Sequence, residues 1–210
     1  PEDERVKVKK AVGAANKACS AAFKALPNDG NSLLNGAYAY FASGRKEEGV
    51  ALIQKAAELG FPPAMVMVAK YMGRGEYLEK DAEGAWMLLI KTLKTDHAAA
   101  KIKAALEFLP GGVGPENPKR TKKVLQGLID EGNSAAMIAY AMKVLNLQKA
   151  EIGSDSSKQG ISLLERAALE KNDSQAAIYL SLLFNQGNVV RRDEGKAIEF
   201  AQLAIDAGVT

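Results

Sequence analysis

An all-α fold built from repeated helix pairs is what this sequence predicts, and three observations carry the prediction. Helix-ending residues recur at a nearly constant interval, a column of small residues recurs in step with them, and no segment shows the strict apolar–polar alternation of a half-buried strand. Heptads are absent too, so a long coiled coil does not fit.

The first column closes each apolar, helix-periodic stretch. "QKAAELG" (54–60), "QGLIDEG" (126–132) and "LAIDAG" (203–208) end in Gly, and two further stretches end near Asp96 and Asn172. Gly60, Asp96, Gly132, Asn172 and Gly208 are separated by 36, 36, 40 and 36 residues. All are residue types that tolerate the left-handed backbone just past a helix C-terminus.

The second column starts the same helices: Gly49, Ala85, Thr121, Gly160 and Ala197. Small side chains let two helices cross closely. Apolar pairs come after them, Leu52–Ile53, Leu88–Leu89, Val124–Leu125, Leu163–Leu164 and Phe200–Ala201, as the buried stripe of each second helix. The first helices read as 32–42, 64–72, 98–109, 135–145 and 174–185, Ala-rich and preceded in four cases by Asn, Asp or Pro signals. Residues 2–25 read as one more amphipathic helix, stopped before Pro27. The expected organisation is therefore an N-terminal capping helix (1–27) and a short solenoid of about five antiparallel helix pairs over 28–210, with repeats near 28–60, 61–96, 97–132, 133–172 and 173–208.

Composition fits this class. Among 210 residues, 47% are hydrophobic, 25% charged and 6% aromatic, which does not fit a chain disordered throughout. No apolar run reaches the roughly 20 residues of a membrane span. The chain opens on Pro1, consistent with a removed leader, so a soluble protein of the bacterial periplasm is expected in preference to the cytoplasm. Cys19 is alone and reads as a small buried hydrophobe. A net charge of +3 is too small, and its basic residues too scattered among acidic ones, for a dedicated nucleic-acid binder.

Catalytic groups are scarce. His97 is the one histidine, with no Cys or His spacing to complete a metal site, and it reads as a capping or exposed residue. Asp81 and Asp193 occupy equivalent positions of different repeats and read as helix caps, not as an acid/base pair. Gly111, Gly112 and Gly114 come after a helix and lack the Gly-Lys-Ser/Thr ending of a phosphate loop, so a flexible turn is expected. Trp86 is expected between repeats. No catalytic residue, cofactor, metal or small-molecule substrate is assigned.

Two repeats share a tighter pattern. Ala64, Gly75, Leu78, Asp81 and Ala85 match Ala176, Gly187, Val190, Asp193 and Ala197. Locally, Gly reverses the chain, the branched residue tucks onto the core and Asp caps the second helix. This pattern resembles the Sel1-like repeat of the tetratricopeptide superfamily. The first repeat has a shortened loop (42–49), the fourth a longer one (146–157), and the third replaces it with "PGGVGPENPKRTKK" (110–123). The resemblance implies a right-handed superhelix whose first helices line a concave groove. It implies an adaptor or scaffold for protein partners, or alternatively an immunity protein that neutralises a secreted effector such as a toxic lipase.

Candidate partner contacts are drawn from exposed-type neighbours of tyrosines on the first helices, since Tyr offers area with one polar tip. They are Tyr38 with Asn35, Tyr71 with Lys70 and Arg74, and Tyr140 with Lys143. Lys119, Arg120, Lys122 and Lys123 form the densest basic cluster and are candidates for an acidic partner. The expected function is a non-enzymatic protein-interaction module.

Overall fold

The computed structural model describes residues 28–208, so the expected helix over 2–25 and Cys19 lie outside the described residues. Within them the fold class is the expected one: ten α-helices and no strand. They are α1 Gly30–Ala42, α2 Lys46–Glu58, α3 Pro62–Arg74, α4 Ala82–Leu93, α5 Ala98–Leu106, α6 Pro118–Asp130, α7 Ser134–Ala139, α8 Asp155–Glu165, α9 Ser174–Gln186 and α10 Glu194–Asp206. Among the described residues, one compact unit takes 28–100 together with Val113–Pro115; the other takes Lys101–Gly112 and 116–208.

In the first unit two hairpins share one apolar core. The Asp29 carboxylate caps α1 by accepting from the Ser32 N–H at 2.7 Å, and Pro62 opens α3 where a missing N–H is harmless. Asp81 caps α4, accepting from the Gly84 N–H at 2.8 Å. Leu33 and Ala37 of α1, Ile53 and Ala56 of α2, and Ala64 and Met65 of α3 are all removed from solvent and pack as one cluster. Alanines at half of these places let the helix axes approach closely, and larger Leu, Ile and Met side chains fill the gaps between them. His97 accepts from the Ala100 N–H through Nδ1 at 3.2 Å and lies edge-on to Phe61, the capping role expected of it. Accepting there requires an unprotonated Nδ1.

The second unit is held by polar ties as well as apolar ones. Thr121, the largest member of the small-residue column, is fully buried, and its hydroxyl donates to the Ala105 carbonyl at 2.7 Å, binding α6 to α5. Gly160 of the same column faces Leu147; a Cβ there would stand 2.7 Å from a Leu147 methyl. Asp173 caps α9 through Oδ1 while its Oδ2 accepts from the Ser134 hydroxyl at 2.6 Å, so one carboxylate ties the starts of α7 and α9. Phe184 and Phe200 stack with ring centres 5.8 Å apart between α9 and α10. No buried side-chain nitrogen or oxygen among the described residues lacks a hydrogen-bond partner.

Several local expectations are corrected. Gly60, Gly132, Asn172 and Gly208 take positive φ as expected, but Asp96 does not; the turn after α4 closes through backbone bonds from Lys94 and Thr95 without a left-handed residue. The first helix of the third repeat ends at Leu106 instead of 109. The glycine-rich segment after it forms the expected turn, closed by the Asn117 N–H donating to the Phe108 carbonyl at 2.7 Å, and a Cβ on Gly112 would overlap the Glu107 carbonyl. The first helix of the fourth repeat is α-helical only to Ala139 and continues as a π-helical turn over Tyr140–Val144. A second π turn over Arg166–Glu170 extends α8. Trp86, expected between repeats, is 39% exposed, on the rim of a shallow depression with Met87 and Ile90.

Candidate partner-binding face

The first helices of the first unit bring an aromatic cluster to the surface. On α1 the buried stripe of Leu33, Leu34 and Ala37 leaves Asn35 and Tyr38 on the opposite, exposed side, as the 3.6-residue period requires. On α3, Ala64, Met65, Val68 and Ala69 face inward, and Met67, Lys70 and Tyr71 come to lie at its edge. Tyr38 is 53% exposed and its hydroxyl points to the Met67 sulfur at 3.8 Å. The structure thus sets the α1 and α3 candidates side by side.

A residue that the helix periodicity did not single out completes the cluster. Tyr77 lies in the loop between α3 and α4, 54% exposed, with its ring edge-on to Tyr71 (5.1 Å between centres) and to Phe41 (6.0 Å). The loop is pinned at both ends. The Glu76 N–H donates to the Tyr71 carbonyl and the Asp81 N–H to the Met72 carbonyl, both at 3.0 Å, while Leu78 packs on the core. Within this frame Tyr77 takes φ +63°, a left-handed conformation that carries a steric penalty for any residue with a Cβ. The available sequence signal is its position two residues after the turn-forming Gly75.

Burial pushes the Tyr71 phenol above the usual tyrosine range, and the neighbouring Tyr77, Tyr38 and Glu76 push it further. Tyr71 therefore stays a neutral hydroxyl at physiological pH, able to donate or accept. Charges rim the cluster. Arg74 lies 4.0 Å from Glu76, and Arg45 pairs with Glu48 at 2.8 Å while covering the Tyr40 ring at 4.3 Å. Lys70 is half-buried beside Tyr71.

The remaining candidates belong to the second unit. Tyr140 is only 7% exposed and belongs to the core of the second unit, on the same helical face as the buried Ala136, Met137 and Ala141, so it offers little surface to a partner. Lys143, on the same turn, is exposed. Lys119, Lys122 and Lys123 are exposed on α6, and the Arg120 guanidinium lies over the Phe108 ring at 5.0 Å. Asp81 and Asp193 are both engaged as helix caps. Among the described residues no group of three or more His, Cys, Asp or Glu could hold a metal ion, and no helix is long and apolar enough to cross a membrane.

No family model matches the sequence, and no curated protein matches it. Solved structures do match. A Sel1 repeat protein from Oxalobacter formigenes superposes with a TM-score of 0.51 at 19% identity, over 87% of this chain and 53% of that one. A protective antigen of uropathogenic Escherichia coli with the Sel1-like repeat fold superposes with a TM-score of 0.59 at 17% identity, over 94% of this chain and 46% of that one. A Sel1 repeat protein from Klebsiella pneumoniae gives 0.50 at 20% identity, over 88% and 90%. The chain spans about half the length of the first two. At such identities the likeness speaks for the fold, and together with the Gly75/Asp81 and Gly187/Asp193 loops it is specific: this chain has the fold of the Sel1-like repeat proteins.

Proposed function

We propose that this chain is a non-enzymatic protein-interaction module that takes a protein partner on the tyrosine face of its first unit. The observation that carries the reading is the pairing of exposure with rigidity. Tyr38 and Tyr77 are more than half exposed, yet each is backed by a fixed neighbour, Met67 for one and Tyr71 and Phe41 for the other. Aromatic side chains held ready in this way lose little entropy on binding and present large contact area. Asn35, Lys70 and Arg74 would form the polar rim, on the side that the family resemblance makes concave. The non-enzymatic part of the reading draws on how three polar groups are used: His97, Asp81 and Asp193 each accept from a helix N-terminus.

The test begins with a partner isolated on the intact protein and titrated by calorimetry. Replacing Tyr38 and Tyr77 together by Ala should weaken binding by about tenfold or more without lowering the melting temperature appreciably. A partner bound equally well by the double variant sinks the site. The immunity alternative would be selected if that partner proved to be a secreted effector whose activity is lost in a one-to-one complex.

A further inference from the structure

A second surface, independent of the tyrosine face, is found on α6. Its inner side is fixed by Thr121, Leu125, Leu128 and Ile129, all buried, so the helix cannot roll. Its outer side therefore presents Lys119, Lys122 and Lys123 in one patch, three and four residues apart. None of the three has an ion pair or hydrogen-bond partner among the described residues.

The charge order of α6 runs against its own macrodipole. The second helices α2, α4, α8 and α10 carry Glu47 and Glu48, Glu83, Asp155 and Glu194 in their first turns, where the exposed N–H groups favour anions. α6 alone among them has no acidic residue there and begins with lysines instead. At its other end it carries no basic residue but Asp130 and Glu131, beside carbonyls that favour cations. Each such placement is unfavourable for the isolated helix, and lysine–lysine repulsion adds to it. The positive field of the lysines and of the helix end thus coincide, with no anion paired to the lysines among the described residues.

We infer that the N-terminal half of α6, with Lys119, Lys122 and Lys123, is a docking surface for an acidic segment of a protein partner. Charge complementarity names the chemistry: two or three carboxylates would meet the lysines and the helix N-terminus together. A nucleic acid fits less well. The cations cover only ~6 Å of helix axis. The same helix then turns acidic at Asp130 and Glu131, which would repel a continuing phosphate track. Arg120 is already placed over Phe108, and Asn117 caps the helix at Arg120, so the helix start that carries the lysines is anchored to the core.

A fluorescein-labelled peptide of about ten glutamates, followed by anisotropy at about 50 and about 200 mM salt, tests it. The intact protein should bind the peptide, more weakly at the higher salt. The Lys119→Glu/Lys122→Glu/Lys123→Glu variant should lose about tenfold or more in affinity. The same variant should melt no lower than the parent, because it restores anions to the positive helix end. That second readout separates lost docking from lost folding. Equal binding by the triple variant, or no binding by the parent, overturns the inference. Tighter binding of a ten-nucleotide thymidine strand than of the peptide, lost in the same variant, overturns the assignment to an acidic protein.

Discussion

The loops of the second and fifth hairpins share one frame and fill it oppositely. Each begins at a glycine in the left-handed region, Gly75 at φ +69° and Gly187 at φ +67°. Each ends at an aspartate that caps the next helix, with the aspartate N–H returned to the first helix at 3.0 Å, to Met72 in one and Phe184 in the other. Two residues after the glycine they part. Val189 is fully buried, and the Ser157 hydroxyl donates to its carbonyl at 2.7 Å, so the start of α8 clamps the loop from outside. Tyr77 is turned out into solvent on a left-handed backbone and leans on Tyr71 and Phe41. Val190 is partly buried, as its repeat equivalent Leu78 is, and Val189 beside it is fully buried. The repeat pattern thus specifies the frame of a loop, and the neighbouring hairpin decides which of its residues reaches the surface.

The largest effect should come from testing the two glycines. Gly187→Val should destabilise by about 3 kcal/mol in urea unfolding, since the left-handed backbone is barred to a β-branched residue and a Cβ would stand 2.8 Å from Arg192 Cβ and 3.1 Å from its backbone nitrogen. Gly75→Val should cost less, about 2 kcal/mol, because there a Cβ meets only the Lys80 Cβ, at 3.3 Å. Equal losses would show that the two loops are not packed differently.

A middle effect separates the two residues themselves. Val189→Ala removes two buried methyl groups and should cost about 2 kcal/mol. Tyr77→Ala gives up only edge contacts of a half-exposed ring, about 0.5 kcal/mol. If Tyr77→Ala proved the more damaging, the tyrosine would be a structural prop and its reading as a binding residue would fail.

The smallest effect probes the backbone at position 77. Glycine accepts φ +63° without the Cβ penalty, so Tyr77→Gly should be more stable than Tyr77→Ala by about 1 kcal/mol, read from paired melting curves. A glycine variant no better than the alanine one would mean that the loop relaxes once the ring is gone.

Much of the scaffold was legible in advance because it rests on local rules. Caps such as Asp81, Asp193 and Asn117 act within three residues of themselves, so their chemistry is visible in a short window. The small-residue column held because close helix crossings penalise bulk; its exception, Thr121, is accommodated by donating to Ala105. The site was less legible. Polar neighbours pointed to Tyr38 and Tyr71 but misled at Tyr140, which shares the buried stripe of Ala136, Met137 and Ala141 at ordinary helical spacing even though Lys143 beside it is exposed. Nor did helix spacing reach Tyr77, which lies on no helix.

By itself the sequence determined the helix pairs, their caps, their crossing residues and their period, each through interactions that close within a turn or two of backbone. Only the tertiary structure decided which aromatic residues face out and which lysines stay unanswered. Those outcomes depend on what distant segments cover, Ser157 over Val189 or, among the described residues, nothing over Lys122, and burial is a property of the packed neighbours, not of the residue.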